Sequence, residues 1–295
     1  MPLEHATARI TPFMEARTAH PPGVSALAPD EWLLVDETYA DQIALRERLL
    51  KERREIVLQG DSGAAAEECL HAALDVLLAQ HDFTREGNSI RRPDGGLVWL
   101  DSSAPLATLG QLAQEDFLVL EKADGEAEHV LTGGILCFPS RWSLTEKMNR
   151  ALIGIHARVP GYEGDLAPRV QRFFDALRPG RPLWRANWLV HATPALFQPV
   201  DEADKIGVER ETSAAFWLRV ERQCLVKLPE TGAVVFTVKT LVTSLSNLTV
   251  PQLAGLGGAM DEQSDDIVRY HGGASYHQTA RAEVARMLSV AQTAT

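Results

Sequence analysis

The chain has 295 residues, 45% hydrophobic and 23% charged, a balance typical of a globular protein rather than a disordered or fibrous one. The formal net charge is −11, and an acidic surface repels phosphate backbones, which argues against nucleic acid as a partner. The three cysteines, Cys69, Cys137 and Cys224, are far apart in the sequence. A disulfide framework, a cysteine zinc site and a multi-cysteine iron–sulfur cluster therefore lack ligands.

Few cysteines suit a reducing cytoplasm. The N-terminus, residues 1–10, has no basic stretch followed by an apolar run, so the sequence shows no signal peptide. No stretch approaches the roughly 18 uninterrupted apolar residues that a membrane span needs. The sequence thus predicts a cytoplasmic protein with no membrane partner.

Helices and hairpins alternate along the chain. A charged helix is predicted over 41–55, and a second helix begins near Asp61 or Ser62, either of which could cap it. Turn residues 93–96 lie between two short apolar runs and predict a β-hairpin. Two further strand pairs are predicted: 117–120 with 129–138, and 218–228 with 233–242. Helices mixed with antiparallel hairpins indicate an α+β fold.

A helix is also predicted from Ser143 to His156. Ser143 and Glu146 match the S-x-x-E capping box, in which the serine oxygen accepts an amide and the glutamate reaches back. The apolar positions share one face at helical spacing: Leu144, Met148, Ala151, Leu152 and Ile155. His156 falls on this stripe in the last turn. It is either a packed histidine satisfied by a backbone carbonyl, or an axial ligand to a flat apolar cofactor such as haem.

Two arginines stand in unusual settings. Arg222 lies on the otherwise apolar face of the strand over 218–228, where a buried cation needs a partner. That partner is either an internal acid or a carboxylate of a cofactor or substrate. Arg185, in an extended stretch, invites the same two interpretations. Cys137 and Cys224 could each offer a thiolate to haem, but their apolar strand contexts favour inert thiols.

Several blocks together resemble one bacterial family. The blocks that carry the resemblance are the stretches 137–142, 146–147 and 155–162, W-x-x-x-D-x-x-Y at 32–39 with Arg46, Gln114-Glu115-Asp116, Arg185-x-Asn187-Trp188 and Glu221-Arg222-Gln223-x-Leu225. Together they are similar to the α subunit of haem-dependent oxidative N-demethylase. The resemblance runs from about Phe13 to Leu248. It departs from the family pattern at Arg158, where I-H-x-P-V-P has a proline, and the tail beyond Val250 has no counterpart.

The resemblance implies a PAS-like α+β fold, an antiparallel sheet with packed helices in a single large domain that carries haem b. We expect an N-terminal arm over 1–28, the family domain over 29–250, and a C-terminal loop and helix over 251–295. It also implies oxidative N-demethylation of a small amine with O2, releasing formaldehyde. Electrons would come from a separate reductase, because flavin and iron–sulfur centres belong to partner subunits in this family, and this chain has no dinucleotide fingerprint and no cysteine cluster.

Four residues are the candidate site. His156 is the predicted axial ligand to the haem iron, and Arg222 and Arg185 are predicted to pair with its propionates or with the polar groups on the substrate side. Glu221 is the predicted catalytic residue that orients the amine. Strand alternation places Glu221 on the face opposite Arg222, so both contact one cavity only if the strand twists or bulges.

Two other functions remain open from the sequence. One is a haem sensor or ligand-binding module of PAS-like fold without catalysis. The other is a flavin-binding or cofactor-free scaffold, in which His156 is a core residue. A haem absorption spectrum separates the scaffold from the other two, and amine turnover with added reductase separates the oxygenase from the sensor.

Overall fold

The structure is a computed structural model that describes residues 4–15, 23–157, 160, 162, 166–200 and 215–293. No helix among these residues has the length and apolar content to cross a membrane. The described strands are Ser25–Ala26 (β1), Leu58–Gln59 (β2), Thr84–Glu86 (β3), Ser89–Arg91 (β4), Leu97–Trp99 (β5), Asp116–Glu121 (β6), Val130–Ile135 (β7), Leu183–His191 (β8), Trp217–Lys227 (β9) and Val234–Ser244 (β10).

Seven of these strands form one antiparallel sheet, and three form a second. The large sheet has the spatial order β1-β8-β9-β10-β6-β7-β2, and the small one has the order β3-β4-β5. The described helices are Tyr39–Glu52 (α1), Arg54–Val57 (α2), Ala64–Gln80 (α3), Pro105–Leu112 (α4), Leu144–Lys147 (α5), Leu152–Ile155 (α6), Leu166–Ala176 (α7), Val250–Asp261 (α8), Asp265–His271 (α9) and Ala274–Thr293 (α10).

The predicted α+β class and the predicted hairpins are confirmed. β4 and β5 flank the turn at 93–96, β6 pairs with β7, and β9 pairs with β10 along its full length. β6 and β10 are buried at almost every position, as expected for strands that are covered on both faces. The PAS-like architecture stays a prediction.

The large sheet separates two sets of helices. On one face, which we call the α7 face, Leu118 and Leu225 pack with Leu152 and Phe174. On the other, the α1 face, Phe117 and Cys224 share a core with residues of three helices: Ile43, Leu70 and Leu109. Further along the α1 face, a second core joins the sheet to the C-terminal helices through Leu218, Val220, Leu256 and Val284. Both faces of β9 are therefore covered along part of their length.

The single helix predicted over 143–156 is wrong. Two one-turn helices, α5 and α6, are separated by residues 148–151, and Asn149 has a φ of 58°. The intervening backbone pairs with the end of β7, because the Asn149 amide donates to Leu131 O (2.8 Å) and the Leu131 amide donates to Arg150 O (3.1 Å). This pairing takes the hydrogen bonds that a continuous helix would use.

The predicted capping box at Ser143 also does not form. The Ser143 side chain makes no cap hydrogen bond, and its Oγ lies 2.8 Å from Thr145 Oγ1. A helix of one turn has few amides to cap, so the motif carries little weight here. His156 consequently follows a single turn instead of ending a long amphipathic helix.

Both ends of the described chain pack on the sheet. In the predicted N-terminal arm, the His5 amide donates to Val242 O at 2.7 Å, and Glu4 accepts from Trp217 Nε1 at 2.9 Å. The segment 251–295, predicted as a loop and one helix, contains most of α8 and all of α9 and α10. The Thr249 and Gln252 pair forms a complete capping box at the start of α8.

Candidate functional site

His156 directly follows α6 and is mostly enclosed. Its Nδ1 lies 2.9 Å from Leu152 O, and because a carbonyl only accepts, Nδ1 carries the proton and donates it. Burial is the main cause that lowers the pKa of His156, and Lys147 and Arg185 lower it further. The ring is therefore held neutral, with its lone pair on Nε2.

Tyr162 lies against this imidazole. The two ring centroids are 4.5 Å apart, and the ring planes differ by 19°. Burial raises the pKa of Tyr162 to about 12, so the phenol stays protonated. Its hydroxyl is buried and makes no hydrogen bond within the part of the chain that the structure describes. The sequence comparison placed Tyr162 in a matching block but gave it no role, and only the tertiary contact reveals one.

Arg185 lies in β8, on the α7 face. It stands opposite Gln223 of β9, and Asn187 stands opposite Glu221, so Arg185 and Glu221 belong to the same face. Burial lowers the pKa of Arg185, and Glu221 opposes that effect. The Arg185 Nε is buried and has no hydrogen-bond partner among the described residues. Because Arg185 also acts on the pKa of His156, these two side chains occupy one region.

Glu221 is a fixed, largely enclosed carboxylate. Gln223 Nε2 donates to one of its oxygens at 3.2 Å, and Arg219 Nε lies 3.6 Å from the other. Arg219 is itself fully buried and donates to Leu196 O at 3.2 Å and to Phe138 O. The buried Arg219 guanidinium therefore helps to hold the Glu221 carboxylate in place. Sequence reasoning missed Arg219, although two charged residues at i and i+2 of a strand share a face and could have indicated the pair.

Arg222 occupies the opposite face of β9. The register pairs it with Ala186 and Lys239, while Glu221 pairs with Asn187 and Thr240, so the predicted alternation is confirmed. The guanidinium donates to Trp32 O at 2.9 Å and to Glu31 O. These carbonyls accept its hydrogen bonds, and the buried Glu115 carboxylate interacts with it electrostatically. Arg222 and Arg185 consequently lie on different faces of the sheet and do not address one cavity together.

The two candidate thiolate ligands are buried thiols. Burial raises the pKa of Cys137 to about 12 and that of Cys224 to about 11. Each has a cation in its surroundings, Arg46 and Arg222 respectively, which the sequence did not reveal, yet burial outweighs both. Near neutral pH neither sulfur is a thiolate, and the thiolate is the form that binds a metal.

Several residues of the matching blocks meet in a buried polar network rather than near His156. Asp116 accepts from Arg46 Nη1 and from the Cys137 amide, each at 2.7 Å, and both charged side chains have no exposed surface. Glu115 accepts the Leu34 amide at 2.9 Å, and Lys239 Nζ lies 3.0 Å from Asp36. These residues, together with Lys239, join α1, β6, β10 and the segment around Trp32 in one network of ion pairs and hydrogen bonds.

One group of potential metal ligands occurs among the described residues, His5 with Asp36 and Glu37. Asp36 already faces Lys239 Nζ at 3.0 Å, and Glu37 is bonded to Arg9. A cation placed between these carboxylates would meet an ammonium and a guanidinium. This group is therefore an ion-pair cluster and not a metal centre.

The arrangement on the α7 face has clear chemical capacities. Within the described residues it offers a neutral imidazole with its lone pair on Nε2, a half-buried guanidinium whose Nε makes no hydrogen bond, a braced carboxylate, and a phenol hydroxyl that makes no hydrogen bond. The family described as "Haem-dependent oxidative N-demethylase, alpha subunit-like" matches residues 23–281, which include all of these side chains.

Proposed function

This chain belongs to the haem-dependent oxidative N-demethylase α-subunit-like family, and from that membership we propose that it is the haem-carrying oxygenase subunit of a multicomponent N-demethylase. The observation that supports the proposal most strongly is the bond from His156 Nδ1 to Leu152 O. Histidines that bind a metal almost always donate their other ring proton to a carbonyl or carboxylate, which fixes the tautomer and aims the lone pair.

The donor set fits haem b better than a bare metal ion. Haem needs one imidazole nitrogen on a firm support, apolar surroundings and cations near its propionates. His156 supplies the nitrogen, Leu152 and Phe174 belong to the adjoining apolar core, and Arg185 offers a buried cation with an unpaired Nε. We assign His156 as the axial ligand and Arg185 as a propionate partner.

Haem bound at this place supplies the iron chemistry that reduces dioxygen. In the overall reaction, an N-methyl amine, one dioxygen, two electrons and two protons give the demethylated amine, one formaldehyde and one water. Two electrons must therefore enter for each formaldehyde released. No described cluster of this chain stores them, and a separate reductase with flavin and iron–sulfur centres is the partner that the proposal requires.

Glu221 orients the substrate in this scheme. A small amine presents an N–H or ammonium donor, and a carboxylate is the strongest acceptor for it. Gln223 and Arg219 hold the Glu221 carboxylate in one direction, and a fixed acceptor positions a substrate better than a mobile one.

Replacing Arg185 with leucine should weaken haem binding about tenfold or more, the worth of a hydrogen bond to a charged group. Stability of the haem-free protein should change little, because Arg185 is half-buried and its Nε makes no hydrogen bond among the described residues. Haem affinity and urea unfolding are the two measurements.

The matched variant is Arg222→Leu. It removes the bonds to Trp32 O and Glu31 O, so we expect a loss of about 1–3 kcal/mol in the free energy of unfolding with haem affinity unchanged. If instead Arg222→Leu loses haem and Arg185→Leu does not, the propionate contact belongs to Arg222, as the sequence alone also allowed.

Formaldehyde release tests the proposed reaction. With haem-loaded protein, a reductase, NAD(P)H and dimethylamine or a larger N-methyl amine, we expect formaldehyde in proportion to the oxygen consumed. Glu221→Gln keeps the shape of the side chain but removes its charge, so turnover should fall while the haem spectrum is retained. Oxygen consumption without formaldehyde across the whole amine panel would overturn the demethylase assignment, and spectral responses to gases alone would identify a sensor.

A further inference from the structure

Tyr162 lies in the candidate site, but the sequence motifs give it no function. It is buried, with 4% of its surface exposed, and its carbonyl accepts the Ala167 amide near the start of α7 at 3.0 Å. Its ring lies nearly parallel to the His156 imidazole, with centroids 4.5 Å apart. Tyr162 thus approaches the imidazole from the side of α7, while Leu152 holds it from α6.

These two contacts restrict different motions of the imidazole. The bond from Nδ1 to Leu152 O fixes one edge of the ring but allows rotation about the line that joins those atoms. A flat ring stacked on the imidazole face opposes that rotation. Together they determine the plane of the ring, and hence the direction of the Nε2 lone pair.

The Tyr162 hydroxyl needs a partner that the described chain does not supply. It is buried, and buried tyrosine hydroxyls normally have a hydrogen-bond partner, because leaving a buried donor without one is unfavourable. Because the Tyr162 ring lies against the imidazole, we infer that its hydroxyl donates to an oxygen of the ligand that the imidazole binds.

We propose that Tyr162 is a positioning residue: its ring sets the plane of the His156 imidazole, and its hydroxyl donates a hydrogen bond to an oxygen acceptor of the ligand bound there. This inference rests on the proposed function, since it takes His156 as the ligand to haem. The propionate carboxylates of haem would be acceptors of the required chemistry.

Two variants separate the ring from the hydroxyl. Tyr162→Leu removes both, and we expect haem affinity to fall about tenfold or more, as for other outer partners of metal ligands, with altered electron paramagnetic resonance g-values of the ferric form. Tyr162→Phe keeps the stacked ring, so the g-values should return to those of the wild type. Affinity should still be about fivefold weaker, equivalent to about 1 kcal/mol for one hydrogen bond.

Tyr276→Leu is the control for general destabilisation. Tyr276 is equally buried, meets Phe216 edge-on and donates to Val190 O, but it lies in α10. This variant should lower the melting temperature and leave the g-values of the haem-loaded protein unchanged. If Tyr162→Leu behaves in the same way, its role is only structural.

The outcomes distinguish this inference from the proposed function. A wild-type protein that binds no haem overturns both. A Tyr162→Leu protein that still loads haem through His156 with wild-type affinity and g-values overturns the inference alone. Wild-type affinity in Tyr162→Phe overturns the hydroxyl contact.

Discussion

Replacing Asp116 with alanine should lower the free energy of unfolding by about 3–5 kcal/mol, the cost of leaving a buried partner charge unpaired. Arg46 and Asp116 both have no exposed side-chain surface, and their atoms are 2.7 Å apart. Asp116 also accepts the amides of Cys137 and Phe138, at 2.7 and 2.9 Å. The variant would leave the Arg46 guanidinium and the buried amides of Cys137 and Phe138 without this acceptor. Urea unfolding of the haem-free protein measures the effect.

An exposed ion pair provides the matched control. Asp266 pairs with Arg269 at 2.7 Å, with 70% and 74% of the two side chains exposed, so Asp266→Ala should change stability by no more than about 0.5 kcal/mol. Asp116→Asn keeps the shape of the side chain, so its loss of unfolding free energy should lie between the losses of Asp116→Ala and Asp266→Ala. If Asp116→Ala costs no more than the control, the buried network is not what holds α1 to the sheet.

Replacing His156 with alanine should reduce haem affinity by more than about 100-fold, above the range produced by the loss of an outer partner. The axial nitrogen disappears, while the stability of the haem-free protein changes little, because His156 is only partly buried and its contacts in the described chain are one local carbonyl and the Tyr162 ring. Transfer of haem to an acceptor protein measures the affinity. His156→Gly leaves a space beside Tyr162 that free imidazole can fill, so added imidazole should restore the histidine-type spectrum.

His277→Ala is the control for this substitution. His277 is also half-buried, and its Nε2 lies 3.2 Å from Met260 O, but it belongs to the C-terminal helices. It should leave haem affinity unchanged. Wild-type affinity in His156→Ala would exclude His156 as the ligand and make Cys137 the next candidate, recognisable by a thiolate-type spectrum.

Local sequence patterns predicted the strands of this fold well. The hairpin of β9 and β10 follows from alternating apolar residues around a turn, and the same alternation correctly separates Arg222 from Glu221. Helical spacing failed between Ser143 and His156, because the backbone at 148–151 bonds to the end of β7, a partner that the local pattern cannot reveal. The predicted cap at Asp61 or Ser62 also does not form, because α3 begins after Gly63 without a side-chain cap. Asp61 instead accepts the Leu106 and Ala107 amides in the first turn of α4.

The partners of buried charges were the least predictable part of the site. Arg222 was correctly identified as a buried cation, but its acceptors are carbonyls of Glu31 and Trp32, about 190 positions earlier in the chain. Tyr162 and Arg219 gained their roles only through tertiary contacts with His156 and Glu221. A single sequence shows that a charge is unusual, while the fold decides what satisfies it.

Titration of the wild-type chain with ferric haem, followed by absorption and electron paramagnetic resonance, tests the central claim most directly. We predict saturation at one haem per chain and a histidine-ligated spectrum that His156→Ala does not give. A wild-type chain that shows no saturable haem binding, or that binds haem with a thiolate-type spectrum, would contradict the assignment of His156 as the ligand.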